Sequence, residues 1–158
     1  MKLSDLPNLS RVWVYQANRL LNESEVEEIY ESGLNFISNW SAHGADLKSA
    51  IEVKHNLFVI LAIDEQVAGA TGCSIDKSVH FIKSLGSKLN VDFFNRLNIA
   101  YLLNDKIELV PMSDFQDFLK SGKLDGQTTV YNNLVENLGE FHAKWEGPVN
   151  GSWHKQLI

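Results

Sequence analysis

The sequence predicts an α+β fold, built from a mostly antiparallel sheet with helices on one face. Strand-like and helix-like segments follow one another in the order β-α-β-β-α-β before the last third of the chain. Short turns that suit antiparallel neighbours join two pairs of these strands. The composition, 44% hydrophobic and 22% charged in 158 residues, is that of a folded globule.

The first strand and the first helix are predicted from two different periodicities. Residues 11–17 alternate in a period of two, which predicts a strand. Apolar residues then recur at helical spacing, and Ser24 with Glu27 has the pattern of a capping box. We therefore expect a helix over residues 24–39, with Gly44 as the breaker behind it.

The centre of the sheet is predicted from an almost continuous apolar run. Residues 58–63 are apolar throughout, which is typical of a buried strand. Residues 47–54 precede them as a second strand, and His55 and Asn56 occupy the turn between the two. The sequence thus predicts a hairpin that contains the central strand.

A loop of small residues and a second helix follow the central strand. Residues 68–72 are small, and Cys73, the single cysteine, comes directly after them. Asp76 is expected to cap the helix by accepting backbone N–H bonds. The inner side of the helix carries apolar residues at helical spacing, Val79, Ile82, Leu85 and Leu89.

The second half of the chain predicts another hairpin and a short helix. Residues 97–103 and 106–110 read as strands joined at Asn104 and Asp105. Ser113 and Gln116 form a second capping-box pattern, which predicts a helix to about Lys120. Residues 128–132 are expected to form a strand.

The first six elements have the β-α-β-β-α-β order of a ferredoxin-like sheet. A profilin-like or another α+β arrangement is the alternative, because element order alone does not fix the topology. We expect residues 1–158 to form a single domain, with residues 122–158 as an irregular C-terminal extension packed on it.

Charge and cysteine content exclude several function classes. The net charge is −6, which disfavours a nucleic-acid partner because such partners require a basic surface. One cysteine cannot form an internal disulfide. The sequence shows neither a signal-peptide pattern nor a membrane-length apolar run, so we expect a cytoplasmic protein with no membrane partner.

Cys73 is the first candidate for chemistry. A thiol near a helix N-terminus is activated by the helix dipole, and His43 with Asp76 would complete a Cys-His-Asp set for acyl or thiol transfer. The alternative is that Cys73 is a small buried hydrophobe, as most free cysteines are. The alternative is favoured, because a lone cysteine with scattered histidines rarely marks a catalytic site.

The loop around Gly72 is the second candidate, as an anion-binding loop. Backbone N–H groups ahead of a helix bind phosphates, Ser74 and Ser78 would add hydroxyl donors, and Lys77 would add charge. The loop matches neither common phosphate-binding motif, and small residues here are also explained by close strand–helix packing. The histidines have no metal-ligand spacing, so we expect no metal and no cofactor.

Four segments carry a resemblance to a known family: WSAHG at 40–44, GCSIDKSVHFIK at 72–83, FFNR at 93–96 and SWHK at 152–155. Over nearly its whole length the chain resembles a family of short, uncharacterised bacterial proteins commonly labelled "ABC transporter ATPase". The resemblance implies a small cytoplasmic bacterial protein. The chain lacks the phosphate-binding lysine loop of ABC ATPases, so we do not expect that activity.

The sequence therefore favours binding over catalysis. We expect a module that binds a small ligand or an anion, or that interacts with another protein, through the loop at residues 69–76. A thiol-dependent hydrolase or transferase with Cys73 as the nucleophile is the alternative. A homodimer is compatible with the sequence, although no residue specifies one.

Overall fold

The structure, a computed structural model, describes residues 2–42, 44–66 and 68–158. It confirms the α+β class, with four helices and nine strands in three sheets among these residues. In chain order the elements are β1 (Arg11–Gln16), α1 (Glu23–Ser38), β2 (Ser41–Ala42), β3 (Ala45–Asp46), β4 (Lys48–Lys54), β5 (Phe58–Asp64), α2 (Gly72–Leu89), β6 (Asn98–Leu103), β7 (Lys106–Pro111), α3 (Met112–Ser121), β8 (Thr129–Tyr131), α4 (Leu138–Lys144) and β9 (Glu146–Pro148). Short 3-10 turns lie at Leu3–Asp5, Val149–Gly151 and Trp153–Leu157.

The first sheet has the order β1-β5-β4 and is antiparallel throughout. Every residue of the central strand β5 is buried, as its apolar run predicts. His55 and Asn56 have φ angles of 55° and 53°, the left-handed backbone that a two-residue hairpin turn requires. The predicted central hairpin is thereby confirmed.

Helices cover one face of this sheet. Trp13, Leu61 and Ile51 are directly paired across the three strands and therefore share a face. Helix α1 packs on that face, where a Cβ at Gly33 would lie only 2.6 Å from the Ile51 side chain. Helix α2 lies beside α1, because Phe36 and Phe81 stack with their ring centroids 4.5 Å apart.

Both helices begin earlier than the sequence predicts. The N-cap of α1 is Asn22, whose side chain accepts from the Glu25 N–H, so the predicted Ser24–Glu27 capping box is wrong. Leu21 is buried, and the chain leaves the core there, so Asn22 is the first position free to cap. The N-cap of α2 is Thr71, which exchanges hydrogen bonds with Ser74, and Asp76 is therefore not the cap.

The second sheet has the order β7-β6-β8-β9. Its β6–β7 hairpin is confirmed, with φ angles of 51° and 63° at Asn104 and Asp105. The predicted β-α-β-β-α-β order is present as β1, α1, β4, β5, α2 and β6. Strand β6 pairs with β7 and β8, however, and leaves the first sheet with three strands.

The segment at residues 122–158 is more regular than the sequence predicts. It contributes β8 and β9 to the second sheet and forms the helix α4, which Asn137 caps by accepting from the Glu140 N–H. The sequence did not indicate strand β9 because it contains Pro148, and proline is disfavoured in most strands. Proline is tolerated at this position because β9 is an edge strand.

Helix α3 confirms the predicted short helix but not its cap. It starts at Met112, directly behind β7, and Pro111 occupies the N-cap position without a side-chain hydrogen bond. The predicted Ser113–Gln116 capping box is therefore wrong, because the helix begins at Met112 and Ser113 lies within it. None of the helices in the described part of the chain is long and apolar enough to cross a membrane.

An aromatic cluster joins the second sheet to the free face of the first. Phe58 of β5 lies with its ring centroid 4.9 Å from that of Tyr131 in β8 and 4.9 Å from that of Trp145. Phe141 of α4 stacks on Trp145 at 4.8 Å. The three layers are thus helices, first sheet, and second sheet with α4.

Candidate functional site

A cleft of about 810 Å³ lies where the two sheets separate beside β1. One wall is the outer edge of β1, and the others are the segments 93–100 and 133–137. Ile75 and Val79 of α2 line the cleft from the helix side. A concave space of this size at the junction of two sheets is the default place to look for a ligand site.

The outer edge of β1 is closed at its N-terminal end. The Ala17 N–H donates to the Leu57 carbonyl. The odd-numbered residues of β1 therefore direct their backbone N–H and carbonyl groups toward β5, and the even-numbered residues direct theirs outward. Val12 N–H accordingly donates to the Glu136 carbonyl at 3.1 Å. An isolated bridge between Arg11 and Asn137 continues this closure.

The other end of β1 is closed by one side chain. The Gln16 Nε2 donates to the Asn98 carbonyl at 3.1 Å, and Gln16 Oε1 accepts from Asn133 Nδ2 at 3.1 Å. Asn133 Oδ1 in turn accepts from the Trp145 indole N–H at 3.0 Å. This chain of hydrogen bonds ties the first sheet to the start of β6 and to the aromatic cluster.

Between these closures β1 has an open stretch at Val14. The N–H and the carbonyl of Val14 belong to the outward-directed set, and neither has a hydrogen-bond partner among the described residues. A strand edge of this kind presents one donor and one acceptor to whatever occupies the cleft.

The charges around the cleft are unevenly distributed. Arg96 lines one end and makes no ion pair in the described part of the chain. Burial raises the pKa of Tyr15, while the neighbouring Ser78 hydroxyl and the nearby charge of Arg96 oppose that rise, which places Arg96 close to the C-terminal half of β1. Lys83 does not line the cleft, although its Nζ lies 5.7 Å from the centre of the Phe94 ring.

The opposite end of the cleft is net acidic. Glu65 and Glu136 line it together with Arg11. The Arg11 guanidinium lies 4.9 Å from the centre of the Trp13 ring and makes no ion pair with either glutamate. A ligand along β1 would therefore meet negative charge at one end and positive charge at the other.

Apolar side chains surround the mouth of the cleft. Leu9 is 76% exposed, Leu134 is 62% exposed and Phe94 is 38% exposed, although all three are large hydrophobic residues. Phe94 packs edge-on against Tyr15, with ring centroids 5.6 Å apart. These residues form an apolar rim, which would cover the apolar part of a ligand.

His154 supplies a neutral polar group to the lining. Its side chain is 2% exposed, and burial lowers its pKa to about 4, so the imidazole is uncharged at neutral pH. Its Nδ1 lies 2.7 Å from the Ser152 Oγ, and its ring stacks on Trp153. His154 can therefore form hydrogen bonds but does not attract anions by charge.

Two of the three residues predicted for thiol chemistry lie outside the cleft. Cys73 is exposed on the first turn of α2, so the alternative that it is a buried hydrophobe is wrong. Asp76 is exposed on the next turn, and neither residue lines the cleft. His43 lies outside the described residues, and the catalytic role of the set stays a prediction.

The residues predicted for anion binding are also dispersed. The Ser74 hydroxyl and N–H are engaged with Thr71, and Ser78 is buried with its hydroxyl donating to the Ile75 carbonyl at 2.6 Å. Gly72 and Lys77 are exposed on the helix. Because α2 begins at Gly72, these positions belong to the first turns of the helix, and their role in anion binding stays a prediction.

Sequence reasoning missed the cleft because its parts lie far apart in the chain. One signal was available: the segment FFNR at 93–96, noted as part of a resemblance, contains both Phe94 and Arg96. Among the described residues, no group of three or more His, Cys, Asp and Glu side chains has a geometry that could hold a metal ion.

Comparison with known proteins adds no family to this picture. No protein-family model, no curated protein and no solved structure matches the chain. The resemblance to the short bacterial family therefore stays a prediction. Fold and site together define an α+β protein with an open cleft between two sheets.

Because Cys73 is exposed, we expect a thiol reagent to modify it in the native protein to one equivalent, at a rate within about tenfold of that in denaturant. The measurement is the rate of labelling with and without denaturant, with Cys73→Ser as the control for background reaction. Labelling that requires denaturation would contradict the exposed position of the thiol.

Proposed function

We propose that this protein is a binding module for a small ligand with an anionic group, held in the cleft beside β1. The observation that carries the proposal is the guanidinium of Arg96 at one end of that cleft, which makes no ion pair with any of the described residues. We further propose, from the sequence, that it acts in the bacterial cytoplasm.

The lack of an ion-pair partner for Arg96 among the described residues indicates that its guanidinium is available to a ligand. The chain carries 20 acidic and 14 basic residues, so carboxylates to pair with are plentiful. A guanidinium offers a rigid fork of donors that fits a carboxylate or a phosphate in two parallel hydrogen bonds. Arg96 is therefore suited to receive an anion from outside the chain.

The remainder of the cleft supports a ligand with an apolar part. Its volume of about 810 Å³ falls within the range of roughly 300–1,000 Å³ that is common for small-molecule sites. Trp13, Tyr15 and Phe94 supply aromatic surface on the helix side. This proposal keeps the predicted ligand-binding function and moves the site from the loop at 69–76 to the cleft.

The test is a fluorescence titration with anilinonaphthalene sulfonate, an aromatic anion. We expect the Arg96→Gln variant to raise the dissociation constant by about tenfold or more, because it removes a charge-assisted hydrogen-bond pair. Arg19→Gln is the matched control, since Arg19 pairs with Glu25 away from the cleft, and it should change the constant by less than about twofold.

Circular dichroism of both variants would show that the fold is retained. Equal binding by the wild type and Arg96→Gln would overturn the proposal, as would backbone NMR shifts that fall outside the cleft.

A further inference from the structure

The open stretch of β1 restricts the chemistry of the ligand further, and this inference rests on the proposed function. Val14 offers an N–H donor and a carbonyl acceptor that point into the cleft and have no partner among the described residues. An extended peptide laid parallel to β1 satisfies such a pair, since the carbonyl of one of its residues can face the Val14 N–H and the N–H two residues further on can face the Val14 carbonyl. A ligand with an anion alone would leave both groups of Val14 unused.

The length of the ligand follows from the closures at the two ends. Val12 is already paired with Glu136, and the Gln16 side chain is already bonded to Asn98. The distance from residue 12 to residue 16 of a strand is about 13 Å, which corresponds to two or three residues of an extended ligand between the closures. Glu136 occupies the edge of β1 at Val12. At the other end the Gln16 side chain and Asn98 bound the cleft, although the N–H and carbonyl of Gln16 have no partner among the described residues. The space between them suits a short free peptide.

The direction of the ligand follows from the charges. Glu65 and Glu136 lie at the N-terminal end of β1 and would attract an ammonium group. Arg96 lies at the C-terminal end and would attract a carboxylate. The carboxylate of Asp92 accepts from the Phe94 N–H and does not line the cleft, so it does not cancel this charge.

We propose that the cleft binds a free tripeptide, parallel to β1, with its first carbonyl accepting from the Val14 N–H and its last peptide N–H donating to the Val14 carbonyl. Its ammonium group lies toward Glu65 and Glu136, and its carboxylate lies on Arg96. The apolar rim of Leu9, Phe94 and Leu134 would cover its side chains and favours apolar residues in the peptide. The binding is non-covalent and requires no cofactor.

The test is isothermal titration with the tripeptide Ala-Leu-Ala and three modified forms of it. We expect weaker binding by about tenfold or more when the C-terminus is amidated, when the N-terminus is acetylated, or when the nitrogen of the C-terminal alanine is methylated. In NMR spectra the Val14 amide proton should shift downfield on addition of the unmodified tripeptide only.

Two variants test the protein side of the same contacts. Arg96→Gln should weaken Ala-Leu-Ala by about tenfold or more and leave its amidated form unchanged. Val14→Pro removes the outward N–H but no hydrogen bond to β5, so it should weaken the unmodified tripeptide by about tenfold. If Val14→Pro fails to fold, the N-methylated peptide on the wild type tests the second hydrogen bond of the same residue, the one that the Val14 carbonyl accepts.

The outcomes separate this inference from the proposed function. If anilinonaphthalene sulfonate binds in an Arg96-dependent way while Ala-Leu-Ala shows no heat up to about 10 mM, the peptide inference is overturned and the anion site stands. Equal affinity for the N-methylated and the unmodified tripeptide would overturn the pairing with Val14. Failure of both probes would remove the proposed function as well.

Discussion

Replacing Trp145 with alanine is expected to lower the free energy of unfolding by about 3–5 kcal/mol. The Trp145 side chain is 4% exposed and packs against Phe58, Tyr131 and Phe141, so its removal leaves a cavity where the first sheet, the second sheet and α4 meet. Because its indole also holds Asn133, the same change should loosen the closure of the cleft at Gln16. Denaturant unfolding followed by circular dichroism measures the stability.

Two further variants separate packing from hydrogen bonding. Trp145→Phe keeps an aromatic ring and loses the bond to Asn133, so it should cost about 1–3 kcal/mol, less than the alanine change. Leu20→Ala is the surface control, since Leu20 is 53% exposed, and should change stability by no more than about 0.5 kcal/mol. If the free energy of unfolding of Trp145→Ala lay within about 1 kcal/mol of the wild-type value, the packing of Trp145 against Phe58, Tyr131 and Phe141 would be contradicted.

Replacing Gly86 with alanine is expected to destabilise the protein by about 1–3 kcal/mol, although alanine is the better helix former. A Cβ at position 86 would lie 2.5 Å from the Val91 carbonyl oxygen, a backbone atom that cannot move aside without shifting the chain. The C-cap of α2, Asn90, has a left-handed backbone, so the chain turns back on the helix there. The Val91 N–H consequently donates to the Gly86 carbonyl at 2.9 Å, which brings the backbone of Val91 close to Gly86. Thermal or denaturant unfolding would measure the loss.

Gly72 is the matched control for this change. It lies at the first position of the same helix, and a Cβ there would meet no atom within 4 Å. Gly72→Ala should therefore be neutral or stabilise the protein by up to about 1 kcal/mol. If both alanine variants raised the free energy of unfolding, the close contact between the Val91 carbonyl and Gly86 would be contradicted.

The sequence by itself determined the elements whose cause is local. The apolar run of β5 required burial on both faces, and the residues in the two hairpin turns tolerate the left-handed backbone that such turns need. The stripe containing Ile82 and Leu85 indicated the buried side of α2 correctly. In each case the signal and its structural consequence lie within a few residues of each other.

Helix starts were predicted less accurately, because several nearby residues were competent to cap. Asn22 and Ser24 both precede α1, and Thr71 and Asp76 both lie near the start of α2. The choice between them was made by tertiary contacts. The buried position of Leu21 sets the point at which α1 begins, and Ser74 is held at the base of α2 by its bonds to Thr71 and by the Trp40 indole, which donates to its carbonyl.

Only the tertiary structure decided where the two sheets separate and which residues surround the cleft. The bonds that close it join Gln16 to Asn98 and to Asn133, partners 82 and 117 positions apart in the chain. Arg96 and the outward-facing backbone of Val14 have no local pattern that marks them as neighbours. Contacts at such separations depend on how whole layers pack, so neither a period of two nor a helical period in the sequence contains them.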